Sequence, residues 1–148
     1  MEEYPKFFVV FQNLFFIVYF GLAIYGMLKF RLISLFYLLF IIVMLGLVLR
    51  KHLCTNCYYY NKRCNTGWGI LAKFLYEEKS GDFELGLKLA KFTWAAITIF
   101  PIIIMGVEVH FNMLNPVILG IFVILSGFNF LIHSYACKTC KMKEKCYG

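Results

Sequence analysis

Four long apolar stretches, separated by short polar segments, dominate the pattern of the chain. They cover residues 7–28, 32–49, 92–107 and 116–132. A helix needs roughly 17–25 mostly apolar residues to cross the ~30 Å hydrocarbon core of a bilayer. We therefore predict an all-α integral membrane protein with four transmembrane helices. The third stretch is short and contains Pro101, so we expect its helix to begin earlier, near Asp82 or Leu85.

The composition agrees with lipid as the main solvent of the chain. Hydrophobic residues make up 61% and charged residues only 16% of the 148 positions, whereas soluble domains average roughly 45–50% and ~25%. The net charge of +7 would suit nucleic acid, but the basic residues lie beside the apolar spans. Anionic lipid headgroups are the nearer partner for them. We expect the lipid bilayer as partner and no nucleic acid.

The placement of positive charge predicts the orientation. With four spans, the N-terminus, the loop of residues 50–91 and the tail of residues 133–148 share one face. Of the 15 lysines and arginines, only Lys29 and Arg31 belong to the other face. The positive-inside rule makes the basic face cytoplasmic. The prediction is a single membrane domain over residues 1–148, with both termini and all cysteines in the cytoplasm.

Each pair of spans is followed by the same order of residues: a histidine, a C-x-x-C pair, a basic stretch and a third cysteine. The two copies are His52, Cys54, Cys57 and Cys64, then His133, Cys137, Cys140 and Cys146. Two copies in the same orientation predict two tandem hairpins related by a pseudo-two-fold axis along the membrane normal. Such an axis would bring the two C-x-x-C segments together at the cytoplasmic surface.

The six cysteines predict a metal site, most simply for zinc. In a reducing cytosol, cysteine patterns are more often metal-binding or catalytic than disulfide-forming, and neighbouring lysines favour the thiolate that binds metal. The two C-x-x-C pairs could form one shared four-cysteine site, or each half could close its own site from three cysteines and a histidine. Only the second arrangement uses Cys64, Cys146, His52 and His133.

Two other readings of the cysteines stay open. Four cysteines also suit an iron–sulfur cluster. In helix number and C-x-x-C alone, the chain is similar to the disulfide-bond-forming membrane proteins and the vitamin K epoxide reductases. That likeness covers no extended motif, and it implies a quinone-linked thiol–disulfide oxidoreductase. Either alternative would make the chain a membrane redox protein.

The loop between the second and third spans contains a second predicted element. After Gly67, a short amphipathic helix is expected, with Trp68, Leu71 and Leu75 on one apolar stripe. Such a helix can lie in the headgroup layer or pack on the cytoplasmic end of the bundle.

Polar residues within the spans carry a further set of expectations. Gln12, Asn13, Ser126 and Asn129 are expected to form helix–helix hydrogen bonds, or to line a pocket leading to the cysteines. Glu108 and His110 are interpreted as solvated residues of an outer loop.

No catalytic constellation stands out in the sequence, which has no Gly-rich phosphate loop and no Ser–His–Asp candidate. The expected role is therefore non-catalytic, with no catalytic residue assigned. We predict a metal-stabilised membrane scaffold or accessory subunit that docks a protein partner, or forms a homo-oligomer, through its basic face.

Overall fold

The computed structural model describes residues 2–147, with side chains up to residue 145. This part of the chain is helical, and four of its helices are long and apolar enough to cross a membrane, which confirms that prediction. The α-helices are α1 (Lys6–Gly26), α2 (Arg31–Val43), α3 (Leu49–His52), α4 (Trp68–Leu75), α5 (Phe83–His110), α6 (Pro116–Thr139) and α7 (Lys143–Tyr147).

The second span is longer than predicted and is not a uniform α-helix. A π-helical turn (Met44–Val48) joins α2 to α3, and a 3₁₀ turn (Cys54–Asn56) follows. A π turn leaves carbonyls without their usual partners. Here the Arg50 Nε donates a 3.2 Å hydrogen bond back to the Leu45 carbonyl. The span therefore runs past the predicted end at residue 49 and reaches the first C-x-x-C pair.

Side-chain caps set the starts of the last two spans. The Asp82 carboxylate accepts a 3.0 Å hydrogen bond from the Leu85 amide, so α5 begins at Phe83, near the predicted position. The Asn115 side chain accepts from the Val117 amide at 2.9 Å and caps α6. The helix continues beyond residue 132, where the predicted span ends, and reaches Thr139. Residues 133–139 contain no glycine or proline that would stop it.

The four spans pack as a bundle in which α6 lies against both α1 and α5. The α2–α3 span touches α1 and packs on α5 through α3. The core is built from buried side chains of all four spans: Tyr19, Ala23, Met27, Tyr37, Ile41, Leu45, Leu49, Ile97, Met105 and Phe122. Most other large apolar side chains point outward, as expected for helices that face lipid.

Hydrogen bonds inside the bundle join the spans. The Tyr19 hydroxyl lies 3.3 Å from Thr98 Oγ1 and 3.2 Å from Ser126 Oγ, which links α1, α5 and α6. The Tyr37 hydroxyl donates to the Ile97 carbonyl at 2.8 Å. Lipid offers no alternative partners, so such bonds help to orient the helices. Ser126 thus makes the helix–helix bond predicted for it.

Two other polar residues of the spans are buried with one side-chain oxygen that accepts no hydrogen bond from the described residues. Gln12 and Asn129 are each 2% exposed. Their carbonyl oxygens have no hydrogen-bond partner among the described residues. Asn13, in contrast, donates to the carbonyl of Thr66 at 2.9 Å and so ties α1 to the loop before α4.

The prediction for Glu108 is wrong. The residue is 0% exposed, and its carboxylate lies near the Phe30 backbone and Lys29. The reason is that α5 continues to His110, so position 108 falls on the same inward face as Pro101 and Met105. His110, two residues on, is exposed as expected.

The short helix α4 forms as predicted, but it packs with a different face. Gly69 and Ala72 are buried, while Leu71 and Leu75 are about half exposed. Small residues are required here because the helix approaches the backbone of the cysteine loop closely. A Cβ atom at Gly69 would lie 1.9 Å from the Tyr59 carbonyl oxygen.

This contact predicts a strong effect of Gly69→Ala. The added methyl group would force the Tyr59 backbone to move, and overpacking of this kind costs about 1–3 kcal/mol. We expect a clearly lower melting temperature in detergent. Gly21→Ala in α1 is the matched control, because a Cβ there meets nothing within 4 Å. Equal melting temperatures for the two variants would contradict the packing of α4.

Candidate cysteine site

The N-terminus is fastened to both cysteine segments by Tyr4, which is 4% exposed. Its amide donates to the Arg63 carbonyl at 3.0 Å, within the first segment. Its hydroxyl donates to the Ala136 carbonyl at 2.8 Å and lies 3.2 Å from Thr139 Oγ1, at the end of α6. Burial raises the pKa of Tyr4 to about 12.

Tyr58, Tyr59 and Lys141 continue this contact, and with Tyr4 they form what we name the tyrosine junction. The Tyr4 and Tyr59 ring centroids are 5.7 Å apart. Lys141 donates from its amide to the Tyr59 hydroxyl at 3.5 Å and from its ammonium to the Tyr58 hydroxyl at 3.1 Å. This ammonium lowers the pKa of Tyr58. The junction therefore holds residues before α1, after α3 and after α6 at one end of the bundle.

The first cysteine segment carries three thiols within residues 54–64. Cys54 opens the 3₁₀ turn and Cys57 follows it. The thiols of Cys57 and Cys64 are close enough to Cys54 to interact with it electrostatically. All three side chains are partly buried, and Cys64 Sγ lies 3.3 Å from Thr66 Oγ1. The loop thus returns its third cysteine to the C-x-x-C pair.

The second segment is built differently, because its first cysteine lies on α6. His133 and Cys137 are one helical turn apart, and Cys137 Sγ is 3.5 Å from His133 Nε2. Cys140 is the C-terminal cap of α6, and its sulfur accepts from the Met142 amide at 3.4 Å. The side chain of Cys146 lies outside the described residues.

The two predicted histidines have different surroundings. The imidazole of His133 packs at 5.9 Å from the Trp94 ring and reaches Cys137. The Nδ1 of His52 accepts a 3.1 Å hydrogen bond from the Asp82 amide. That bond ties the end of α3 to the start of α5 and leaves the Nε2 of His52 as its ligand atom.

Both C-x-x-C pairs lie near the tyrosine junction. The Tyr59 hydroxyl interacts electrostatically with both Cys57 and Cys140. The Tyr4 hydroxyl does so with Cys137 and Cys140. The described cysteines therefore lie at the same end of the bundle as the tyrosine junction.

The donor chemistry fits zinc, but the donors stand in partial sets. Sulfur and imidazole are the ligands that structural zinc prefers. Among the side chains that the structure describes, however, no three or more of His, Cys, Asp and Glu are grouped closely enough to hold a metal ion. A metal site would need the cysteine loop or the tail to move toward the other donors. Comparison with protein-family models, curated proteins and solved structures found no match for this chain.

The sequence pattern did not identify the residues that hold the two segments together. No motif includes Tyr4, Tyr59 or Lys141. Tyr4 is also 132 positions away in the sequence from Ala136, to which it bonds. The one available signal was the run Tyr58–Tyr60, because three adjacent tyrosines in a polar loop are unusual for a solvated segment.

The junction predicts that Tyr4→Phe loosens the cysteine end without unfolding the bundle. The variant keeps the ring but loses the bonds to Ala136 and Thr139, which are worth about 1 kcal/mol each. We expect faster maleimide labelling of Cys137 and Cys140, measured peptide by peptide with mass spectrometry. Tyr25→Phe is the control, because Tyr25 is an exposed tyrosine on α1. Unchanged labelling rates in Tyr4→Phe would contradict the role of the junction.

Proposed function

We propose that this protein is a non-catalytic membrane scaffold or accessory subunit whose cysteine-bearing end binds zinc in the cytoplasm. In this proposal the two hairpins are related by a pseudo-two-fold axis, and the metal clasps their cytoplasmic ends. The basic face of the same end docks a protein partner, or a second copy of the chain, next to anionic headgroups.

The observation that carries the proposal is the grouping of thiols at one end of the bundle. Cys54 lies near Cys57 and Cys64 in the first segment, and Lys141, next to Cys140 in the second, bonds to the buried Tyr59 hydroxyl. Sulfur is a ligand that structural zinc prefers, and the metal deprotonates the thiols when it binds. Metal binding would bring these thiols into one coordination sphere. The free energy of binding would then stabilise the folded chain.

The residues offered to zinc define two arrangements. A shared site would use Cys54, Cys57, Cys137 and Cys140. Local sites would use His52 through its Nε2 with the first three cysteines, and His133 with the cysteines of the tail. The 3.5 Å contact between Cys137 and His133 favours a local site in the second half. An iron–sulfur cluster would draw on the same thiols.

Elemental analysis of protein purified without oxygen tests the proposal. We expect about one or two zinc atoms per chain, the range that the two arrangements allow. Cys54→Ser and Cys137→Ser should each lose zinc and lower the melting temperature, because metal affinity is coupled to folding. Cys64→Ser separates the arrangements, since it removes zinc only from a local site. Absence of bound metal, with melting temperatures unchanged in the serine variants, would exclude the structural-zinc proposal.

A redox function is the second candidate, and the Cys137–His133 contact favours it. An imidazole beside a thiol can take its proton and make it the reactive thiolate of a C-x-x-C pair. Titration of the purified protein in glutathione redox buffers would then give a reversible disulfide between Cys137 and Cys140. The His133→Gln variant should form this disulfide more slowly. Thiols that stay reduced across the whole titration would rule this candidate out.

A further inference from the structure

A groove of about 530 Å³ opens between α2 and α5, away from the cysteines. One wall carries Phe36, Phe40 and Met44, and the other carries Phe92, Ala96 and Phe100. The lining is apolar almost throughout. This position is independent of the site and function proposed above.

Two aromatic contacts join the walls of the groove. The Phe40 and Phe92 rings meet edge to face at 6.4 Å, and the Tyr37 and Phe100 rings stack at 6.2 Å. Between these two contacts the α5 wall carries only the short side chain of Ala96. The groove therefore runs along the two helices. Aromatic rings lie at its two ends, and no large side chain of α5 fills its middle.

The groove has the length of one bilayer leaflet. Phe92 and Phe100 are eight positions apart, or about 12 Å at 1.5 Å per residue, and half of the hydrocarbon core is about 15 Å. An acyl chain of one leaflet thus has the right length to lie between them.

Two exposed lysines mark the end of the groove that is nearer the cysteines. Lys88 lies one turn before Phe92, on the stripe that continues to Ala96 and Phe100. Lys51 follows Met44 by about two turns, at the end of the other wall. The two helix ends are in contact there, because a Cβ atom at Gly86 would lie 3.0 Å from His52. Positive charge therefore stands at one end of an apolar channel.

We propose that this groove binds one anionic glycerophospholipid. One acyl chain lies against Ala96, and the phosphate sits between Lys51 and Lys88. Charge complementarity selects this occupant, because the site offers an apolar trough of leaflet length and cations only at its mouth. A zwitterionic lipid would fill the trough equally well but would gain less from the two lysines.

Native mass spectrometry with added phosphatidylglycerol or phosphatidylcholine tests the proposal on the full chain. We expect the parent to retain phosphatidylglycerol in preference to phosphatidylcholine. The double variant Lys51→Gln with Lys88→Gln should weaken phosphatidylglycerol by roughly fivefold per lysine, and leave phosphatidylcholine unchanged. Lys73→Gln with Lys79→Gln removes the same charge from exposed positions outside the groove and is the matched control.

A second pair of variants tests the trough itself. Ala96→Phe should fill the groove and reduce phosphatidylglycerol occupancy at least tenfold. Ala95→Phe, on the exposed neighbouring position, should keep the parent's occupancy. Equal retention of both lipids by the parent, equal loss in the two lysine pairs, or a lipid-free dimer that Ala96→Phe disrupts would each overturn the proposal. If Ala96→Phe does not fold, the lysine pairs at exposed positions still decide.

Discussion

The tyrosine junction is the contact on which the cysteine-bearing end depends. Tyr4 is buried between the Arg63 carbonyl of the first segment and the Ala136 carbonyl of α6. Tyr59, 1% exposed, packs against its ring. Burying such hydroxyl and amide groups is favourable only where they find partners. Because the partners lie in three separate stretches of chain, satisfying them fixes where both C-x-x-C pairs stand.

The rest of the bundle follows from lipid as solvent. Apolar side chains cover the outside, and interior hydroxyls bond across helices, as Tyr19 does with Thr98 and Ser126. The groove between α2 and α5 and the cysteine-bearing end are two different departures from this framework. The groove is a gap between α2 and α5. The cysteine-bearing end is instead an added folded segment, which the hydrogen bond from Asn13 to Thr66 ties to α1.

Hydropathy and caps predicted most of the fold, because both are local signals. Short stretches of sequence were enough to predict the four spans, the cap of α5 at Asp82 and the cap of α6 at Asn115. The extension of α6 to Thr139 and the burial of Glu108 could not. Both depend on how far a helix continues, which is decided by packing rather than by hydropathy. The histidine and cysteine pattern carried no signal for the contacts of Tyr4 with Arg63 and Ala136, because these contacts join residues that are far apart in the sequence.

Both C-x-x-C segments lie close to Tyr59 at one end of the bundle. The most direct measurement is cross-linking with a flexible bifunctional maleimide in intact membranes, using a variant that keeps only Cys57 and Cys140. We predict an intramolecular Cys57–Cys140 link, found by peptide mass spectrometry and lost when the chain is unfolded before reaction. Single modifications alone, or links only between chains, would contradict it.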